Sequence, residues 1–324
     1  MKAIVCEKFA PVEELLYKDV PDPVAGKGQV LIDITAIGVN YPDGLLVQGL
    51  YQMKPPFPFI PGMEVAGVIS EVGEGVEHLK VGQRVIGLAG LNGYAEKVAI
   101  DAMTVMPLPD AIPDEEAAGL ITAHATAHHA LKQRANLKPG ETLVVTGAAG
   151  GTGLAAVQIG KAMGATVVAV CSTQEKLDIA KANGADILIN YSESDLKTEL
   201  KKLNDGKGVD VVYDVVGGDA FDACSRSMAW NGRLLVIGFA SGTIPKFPVN
   251  LSLVKGYSVV GVFWGSFTKH EPKAFMENMV ELMDWYVKGS VKVIVDETFP
   301  LADTAKALHK VMDREVKGKV ILKP

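Results

Sequence analysis

The stretch Glu141 to Val170, ETLVVTGAAGGTGLAAVQIGKAMGATVVAV, decides the fold. Apolar and β-branched residues from Leu143 to Thr146 run into a glycine-rich turn. A helical stretch follows, with Gly164 near its stop, and Thr166 to Val170 forms a second strand-like run. Within the turn, Ala148, Gly150 and Gly153 hold the first, third and sixth places of a G-x-G-x-x-G fingerprint whose first glycine is replaced by alanine. Each place has a mechanical reason. The third lets backbone N–H groups approach a pyrophosphate, the sixth lets the helix lie against the strand, and the helix N-terminus adds partial positive charge. A lone glycine-rich loop would carry little weight, but strands on both sides make this a dinucleotide site. Its candidate contacts are Ala149, Gly150, Gly151, Thr152 and Gly153.

Outward from this unit, apolar strand-like runs alternate with helix-like stretches, the pattern of a parallel sheet covered on both faces. The runs are Leu143 to Thr146, Thr166 to Val170, Ile187 to Asn190, Val209 to Val215, Leu234 to Ile237 and Ser258 to Phe263, six in all. That is the strand number of a complete doubly wound Rossmann sheet in an α/β chain. The first 120 or so residues read differently, with Gly, Pro and short β-branched runs such as Val30 to Ile34, Val65 to Val72 and Arg84 to Leu88. They suggest a β-rich domain. After Trp264 come a helical segment around Ala274 to Val287, a strand Val291 to Val295, a helix Thr304 to Met312 and a strand Lys319 to Leu322. The expected division is residues 1–125, completed by 265–324, and residues 126–264, with a cleft between the domains as the default ligand site.

Composition narrows the function. A chain of 324 residues suggests about two domains. A net charge of −6, from 32 basic and 38 acidic residues, offers no footprint for nucleic acid or an anionic membrane. The start MKAIVCEKFA matches neither a signal peptide nor a transit sequence, and no apolar stretch reaches the roughly 20 residues of a spanning helix. Cys6, Cys171 and Cys224, an odd and widely spaced trio, suit a reducing cytoplasm better than a disulfide framework.

The cofactor's phosphate state is read at the end of the second strand, where an acid would bind a free ribose 2′-hydroxyl and repel a 2′-phosphate. This chain has Cys171, Ser172, Thr173, Gln174, Glu175 and Lys176, with hydroxyls where the acid would be and a cation one turn on. NADPH is therefore expected over NADH, although Ser172 or Thr173 can equally serve as an N-cap to a helix starting near Gln174.

Further motifs extend over nearly the whole chain: GVNYPDGLLVQGLY (38–51), PFIPGMEVAGVISEVGEGV (58–76), GYAEKV (93–98), TGAAGGTG (146–153), GADILINY (184–191), GVDVVYDVVGG (208–218) and NGRLLVIGFASG (231–242). On these the chain resembles the quinone oxidoreductases, the zinc-free branch of the medium-chain dehydrogenase and reductase superfamily. The resemblance implies a GroES-like catalytic domain beside the Rossmann domain. It also implies that zinc is absent, since zinc-dependent relatives carry cysteine where this chain has Asn40 and histidine where it has Met63.

By the same resemblance Asn40, Asp43 and Tyr51 line the nicotinamide and substrate side; as residues alone, Asn40 and Asp43 can instead stabilise the turn after the strand Ile34 to Val39. Thr126, in the run TAHHAL (126–131) that departs from the family's TAYHAL-like helix, is implied as a cofactor contact. Ser172, Lys176 and Tyr191 are implied on the phosphate side, and Phe239 and Val262 on the nicotinamide side. His124, His128 and His129 include an i, i+4 pair, which we read as structure or cleft lining rather than a metal site. The implied activity is hydride transfer to a quinone or similar electron-poor small molecule. The alternatives are reduction of an activated alkene such as an enone or enoyl thioester, and an NADPH-holding structural or RNA-binding role with little turnover. A homodimer is expected through the apolar last strand, Ser258 to Phe263.

Overall fold

The computed structural model describes all residues, Met1–Pro324. Its strands are β1 Lys2–Val5, β2 Leu16–Asp19, β3 Gln29–Val39, β4 Glu64–Val72, β5 Arg84–Leu88, β6 Lys97–Asp101, β7 Val105–Pro107, β8 Thr142–Thr146, β9 Thr166–Cys171, β10 Ile187–Asn190, β11 Val209–Asp214, β12 Met228–Val236, β13 Ser258–Gly261, β14 Val295–Pro300 and β15 Lys319–Lys323. Two compact units result: Met1–Thr122 with Val293–Pro324, and Ala123–Lys292.

The first unit is built on β3. In its first half Asp33 and Thr35 face water while Ile32 and Ile34 are buried, the period-2 alternation of a half-covered strand. From Ala36 to Val39 every residue is buried. The reason is pairing: β4 runs antiparallel along β3, β6 pairs with its first half and β15 with its last residues, so this segment has a strand on each side. The sheet order is β14-β15-β3-β4-β5-β7, with β6 joined to β3. Ile32, Ile37, Val39, Ile69, Val85 and Tyr94 fill its core together with Leu301, Leu308, Val320 and Leu322 from the C-terminal tail. The register Val320↔Val39 sets Lys319 beside the end of β3.

The second unit carries a six-stranded parallel sheet in the order β10-β9-β8-β11-β12-β13. All six apolar runs are strands. The chain reverses direction between β8 and β11, the switch point at which such sheets take ligands. Fully buried Val144, Val168, Val212 and Leu234 explain why these strands read as continuous apolar runs.

Three details differ from the sequence expectation. The helices Trp264–His270 and Pro272–Val287 group with the second unit, so the chain returns to the first at Val293 rather than 265. Their side chains explain it: Asn278 exchanges amide hydrogen bonds with Gln133 at 2.8 and 3.2 Å, and Phe267 stacks on His129. The strand expected at Val291 to Val295 lies instead at Val295–Pro300. Finally, the tight turn after β8 is made by Gly147, whose φ is 62°, one residue before Ala148. Alanine is therefore tolerated in the fingerprint's first place, because the left-handed residue precedes it.

A Cβ at Gly153 would lie 2.1 Å from the Gly147 carbonyl oxygen, whereas one at Gly150 would meet nothing closer than 3.5 Å. The helix Gly151–Ala162 thus rests directly on the turn at Gly153. Gly153→Val should lower unfolding stability by about 2 kcal/mol or more through overpacking. Gly150→Ala, at the N-cap, should cost under about 1 kcal/mol. Urea unfolding of the two variants checks this, and equal losses would contradict the close approach at Gly153.

Candidate functional site

In the first unit the expected residues gather where β3 ends. Asn40 is the N-cap of the short helix Tyr41–Val47, and its backbone N–H donates to Asp43 Oδ2 at 2.9 Å. Asp43 is sealed from solvent and its Oδ2 also accepts from the Tyr94 hydroxyl at 2.9 Å, while Oδ1 has no partner. The Asn40 side chain is held on both polar atoms: Nδ2 donates to Glu64 Oε1 at 2.9 Å, and Oδ1 accepts from Lys319 Nζ at 2.8 Å. Lys319 Nζ also donates to Glu64 Oε1 at 2.8 Å and to the Val39 carbonyl at 3.1 Å. Glu64 Oε2 accepts from the Thr122 N–H at 2.7 Å. Glu64 is 0% exposed and Lys319 4%, so this is a buried ion pair whose lone pairs and protons are taken up by neighbours.

The turn-stabilising arrangement of Asn40 and Asp43 is thus present, and both residues hydrogen-bond to buried neighbours. Tyr51 differs. It is half-buried against the core, and burial followed by the nearby Asp43 charge raises its hydroxyl pKa. Glu64, Tyr94 and Lys319 were not picked out in the sequence. The available signal was a charged residue opening an apolar run in each of two strands, Glu64 before Val65 to Ile69 in β4 and Lys319 before Val320 to Leu322 in β15.

In the second unit, the expected cofactor residues other than Thr126 cluster at the C-terminal ends of the parallel strands and the turns that follow. The helix Gly151–Ala162 begins after Gly150, and the amides of its first turn have no carbonyl within the helix to bond. Beneath the turn, Asp214 at the end of β11 accepts from the Thr146 hydroxyl at 2.6 Å and from the Val216 and Gly217 amides. It ties β8 to β11 across the switch point, and burial raises its pKa. Sequence reading missed it as one more residue of an apolar run.

Thr173 is the N-cap of the helix Gln174–Ala182, accepting from the Lys176 N–H at 3.3 Å. Ser172 is therefore not the cap. Its carbonyl accepts from the Ser192 hydroxyl at 2.9 Å, and the Tyr191 N–H donates to Cys171 O at 3.1 Å, which brings the ends of β9 and β10 together. The Tyr191 side chain is exposed. Phe239 lies in the loop after β12, and Val262 follows β13 with its N–H donating to Val236 O at 3.1 Å. Thr126 is half-buried in the helix Ile121–His129.

His128 and His129 on that helix have protein partners. His128 Nε2 lies 2.9 Å from Glu281 Oε2, which also pairs with Lys132, and its ring meets Trp285 edge-on. Burial pulls His128 down to about 4. His129 stacks on Phe267 with centroids 3.8 Å apart and Nδ1 facing Gln133 Oε1 at 3.1 Å.

Two family models match the chain: "Alcohol dehydrogenase GroES-like domain" over residues 26–110 and "Zinc-binding dehydrogenase" over residues 151–284. The chain is 37% identical to the Rattus norvegicus protein named quinone oxidoreductase-like protein 2, over 99% of this chain and 91% of the relative. It is 33% identical to the quinone oxidoreductase of Sus scrofa, over 99% and 97%. Among solved structures, the Escherichia coli quinone oxidoreductase complexed with NADPH superposes with a TM-score of 0.94 at 31% identity, covering 100% of both chains.

Asp43 gives the first unit a measurable signature. Burial pushes its carboxyl up to about 7, against the pull of the Asn40 N–H, the Tyr94 hydroxyl and the Lys319 charge; the Glu64 charge adds to the rise. A folded pKa above the unfolded value means the folded chain binds the extra proton. The associated stability is fully present below pH of about 4 and is lost as pH rises through 7. Relative to Asp43→Asn, the wild type should lose on the order of 2–3 kcal/mol between pH 5 and 8. Urea unfolding of both proteins across that range checks it, and a constant difference would exclude a neutral Asp43.

Proposed function

The chain belongs to the quinone oxidoreductase family of the medium-chain dehydrogenase and reductase superfamily, and from that premise we propose that it is an NADPH-dependent reductase of quinones or similarly electron-poor acceptors that works without zinc. The observation that carries the reading is the ligand edge of the parallel sheet. A helix N-terminus rises from a turn with room at Gly150, directly at the switch point, and the neighbouring strand ends at Cys171 and is followed by Ser172, with no acid at either to repel a 2′-phosphate.

The residues present fit the dinucleotide. Gly150 and the amides of Gly151, Thr152 and Gly153 would receive the pyrophosphate. Ser172, Lys176 and Tyr191 would receive the 2′-phosphate, Lys176 contributing its charge, Phe239 and Val262 would hold the nicotinamide, and Thr126 would add a further cofactor contact. NADPH, when bound, supplies the hydride. The chain's own task is to orient the acceptor and exclude water. In this reading Tyr51 offers the acceptor a surface, Asn40 and Asp43 hold the segment leading to it, and solvent supplies the proton that completes reduction.

Zinc does not suit this donor set. Asn40 and Met63 replace the usual thiolate and imidazole, and the Lys319 ammonium already stands 2.8 Å from both Asn40 Oδ1 and Glu64 Oε1, where it would repel a metal ion. A homodimer through β13 suits the sheet: β13 is its edge, and Ser258, Val259 and Gly261 are exposed. The three cysteines are free, which favours the cytoplasm. No helix is long and apolar enough to cross a membrane.

A panel of quinones, enones, enoyl thioesters and aldehydes, followed by loss of nicotinamide absorbance, tests the activity. We expect quinone turnover that survives a strong chelator. Turnover confined to enoyl thioesters would replace the acceptor, and NADPH binding without turnover on any of them would replace the enzyme reading by a binding role. Lys176→Ala should weaken NADPH about tenfold or more, the worth of one charge-assisted phosphate contact, and change NADH less than about twofold. Equal losses, measured by titration, would show the phosphate assignment to be misplaced. Sedimentation should give a dimer.

A further inference from the structure

The buried pair of Glu64 and Lys319 needs an explanation beyond stability, since a buried ion pair is often no better for stability than an apolar pair of the same volume. Its geometry offers one. The Asn40 carboxamide lies between the two charges, its oxygen on the ammonium at 2.8 Å and its nitrogen on the carboxylate at 2.9 Å. Rotating the amide by half a turn would set Oδ1 against Glu64 and Nδ2 against Lys319, two repulsive contacts in place of two attractive ones. A single orientation is therefore allowed. The same ammonium binds the Val39 carbonyl at 3.1 Å, and the Asn40 N–H binds Asp43 at 2.9 Å, so the segment from Val39 to Asp43 is gripped through side chain and backbone alike.

We propose that Lys319, acting with Glu64, is a positioning residue of the reductase site: it supplies the fixed cation that organises Asn40 and the segment leading through Asp43 to Tyr51, in a site whose donors do not suit a metal. This rests on the functional reading above and adds to it a residue from the far end of the chain. The β15–β3 register, Val320↔Val39, is what delivers the ammonium. The charge needs no loading step and cannot be removed by a chelator.

The test compares the wild type with Lys319→Met and with the double variant Glu64→Gln/Lys319→Met. The single variant leaves a buried carboxylate without its counter-ion and serves as the destabilised reference. The double variant is neutral, of similar volume, and is expected to regain most of the lost stability in urea. If the pair only supported the fold, the double variant would also regain activity. Positioning predicts otherwise: kcat for the quinone stays down by about tenfold or more, as expected for a misplaced site, while KM for NADPH changes less than about twofold. Hydrogen exchange of the peptide spanning 39–47, read by mass spectrometry without any substrate, should quicken in both variants as the Asn40 N–H loses protection. Wild-type turnover in the double variant, or unchanged exchange in that peptide, would overturn the proposal. A wild type inert toward every acceptor would sink the functional reading, and the exchange measurement would still decide whether Lys319 positions the segment.

Discussion

An ammonium and a carboxylate 2.8 Å apart and almost closed off from water persist inside a protein only when their remaining donors and acceptors are filled. In the first unit this condition accounts for much of the local structure. Lys319 is satisfied by Val39 O, Asn40 Oδ1 and Glu64 Oε1, and Glu64 by Asn40, Lys319 and the Thr122 amide. Meeting it requires the end of β3, the start of β4 and the first residue of β15 at one point. The C-terminal tail is therefore integral to the unit that the N-terminal 122 residues begin, and Leu301, Leu308, Val320 and Leu322 complete the core around it.

Asp43 sits beside that pair under the opposite condition. Its carboxyl is buried without a cation of its own, so burial outweighs the two hydrogen bonds on Oδ2 and lifts its titration to about 7. The two buried carboxylates differ in whether a counter-charge is in contact. Glu64 has one at 2.8 Å; Asp43 does not.

The second unit is organised by close approach rather than charge. Gly147 turns the chain with a positive φ, and Gly153 lets the helix Gly151–Ala162 settle on the Gly147 carbonyl. Asp214 fastens the ends of β8 and β11 through the Thr146 hydroxyl and two amides. The turn is held from below, which keeps the first-turn amides in a fixed position at the ligand edge of the sheet.

The sequence by itself determined the six parallel strands and the glycine turn, because strand periods and turn chemistry are local properties encoded within a few residues. Asn40, Asp43 and Tyr51 were singled out through motif resemblance. Their surroundings were not, since Tyr94, Glu64 and Lys319 lie 51, 24 and 279 residues away from the groups they bind. The return point of the chain was missed for the same reason: the apolar side chains of Pro272–Val287 show that the helix must be covered, and only the Gln133–Asn278 and His129–Phe267 contacts show by what. Tertiary structure alone decided which charges are neutralised, because burial and the register of β15 on β3, rather than spacing along the chain, set the distance between an ammonium and a carboxylate.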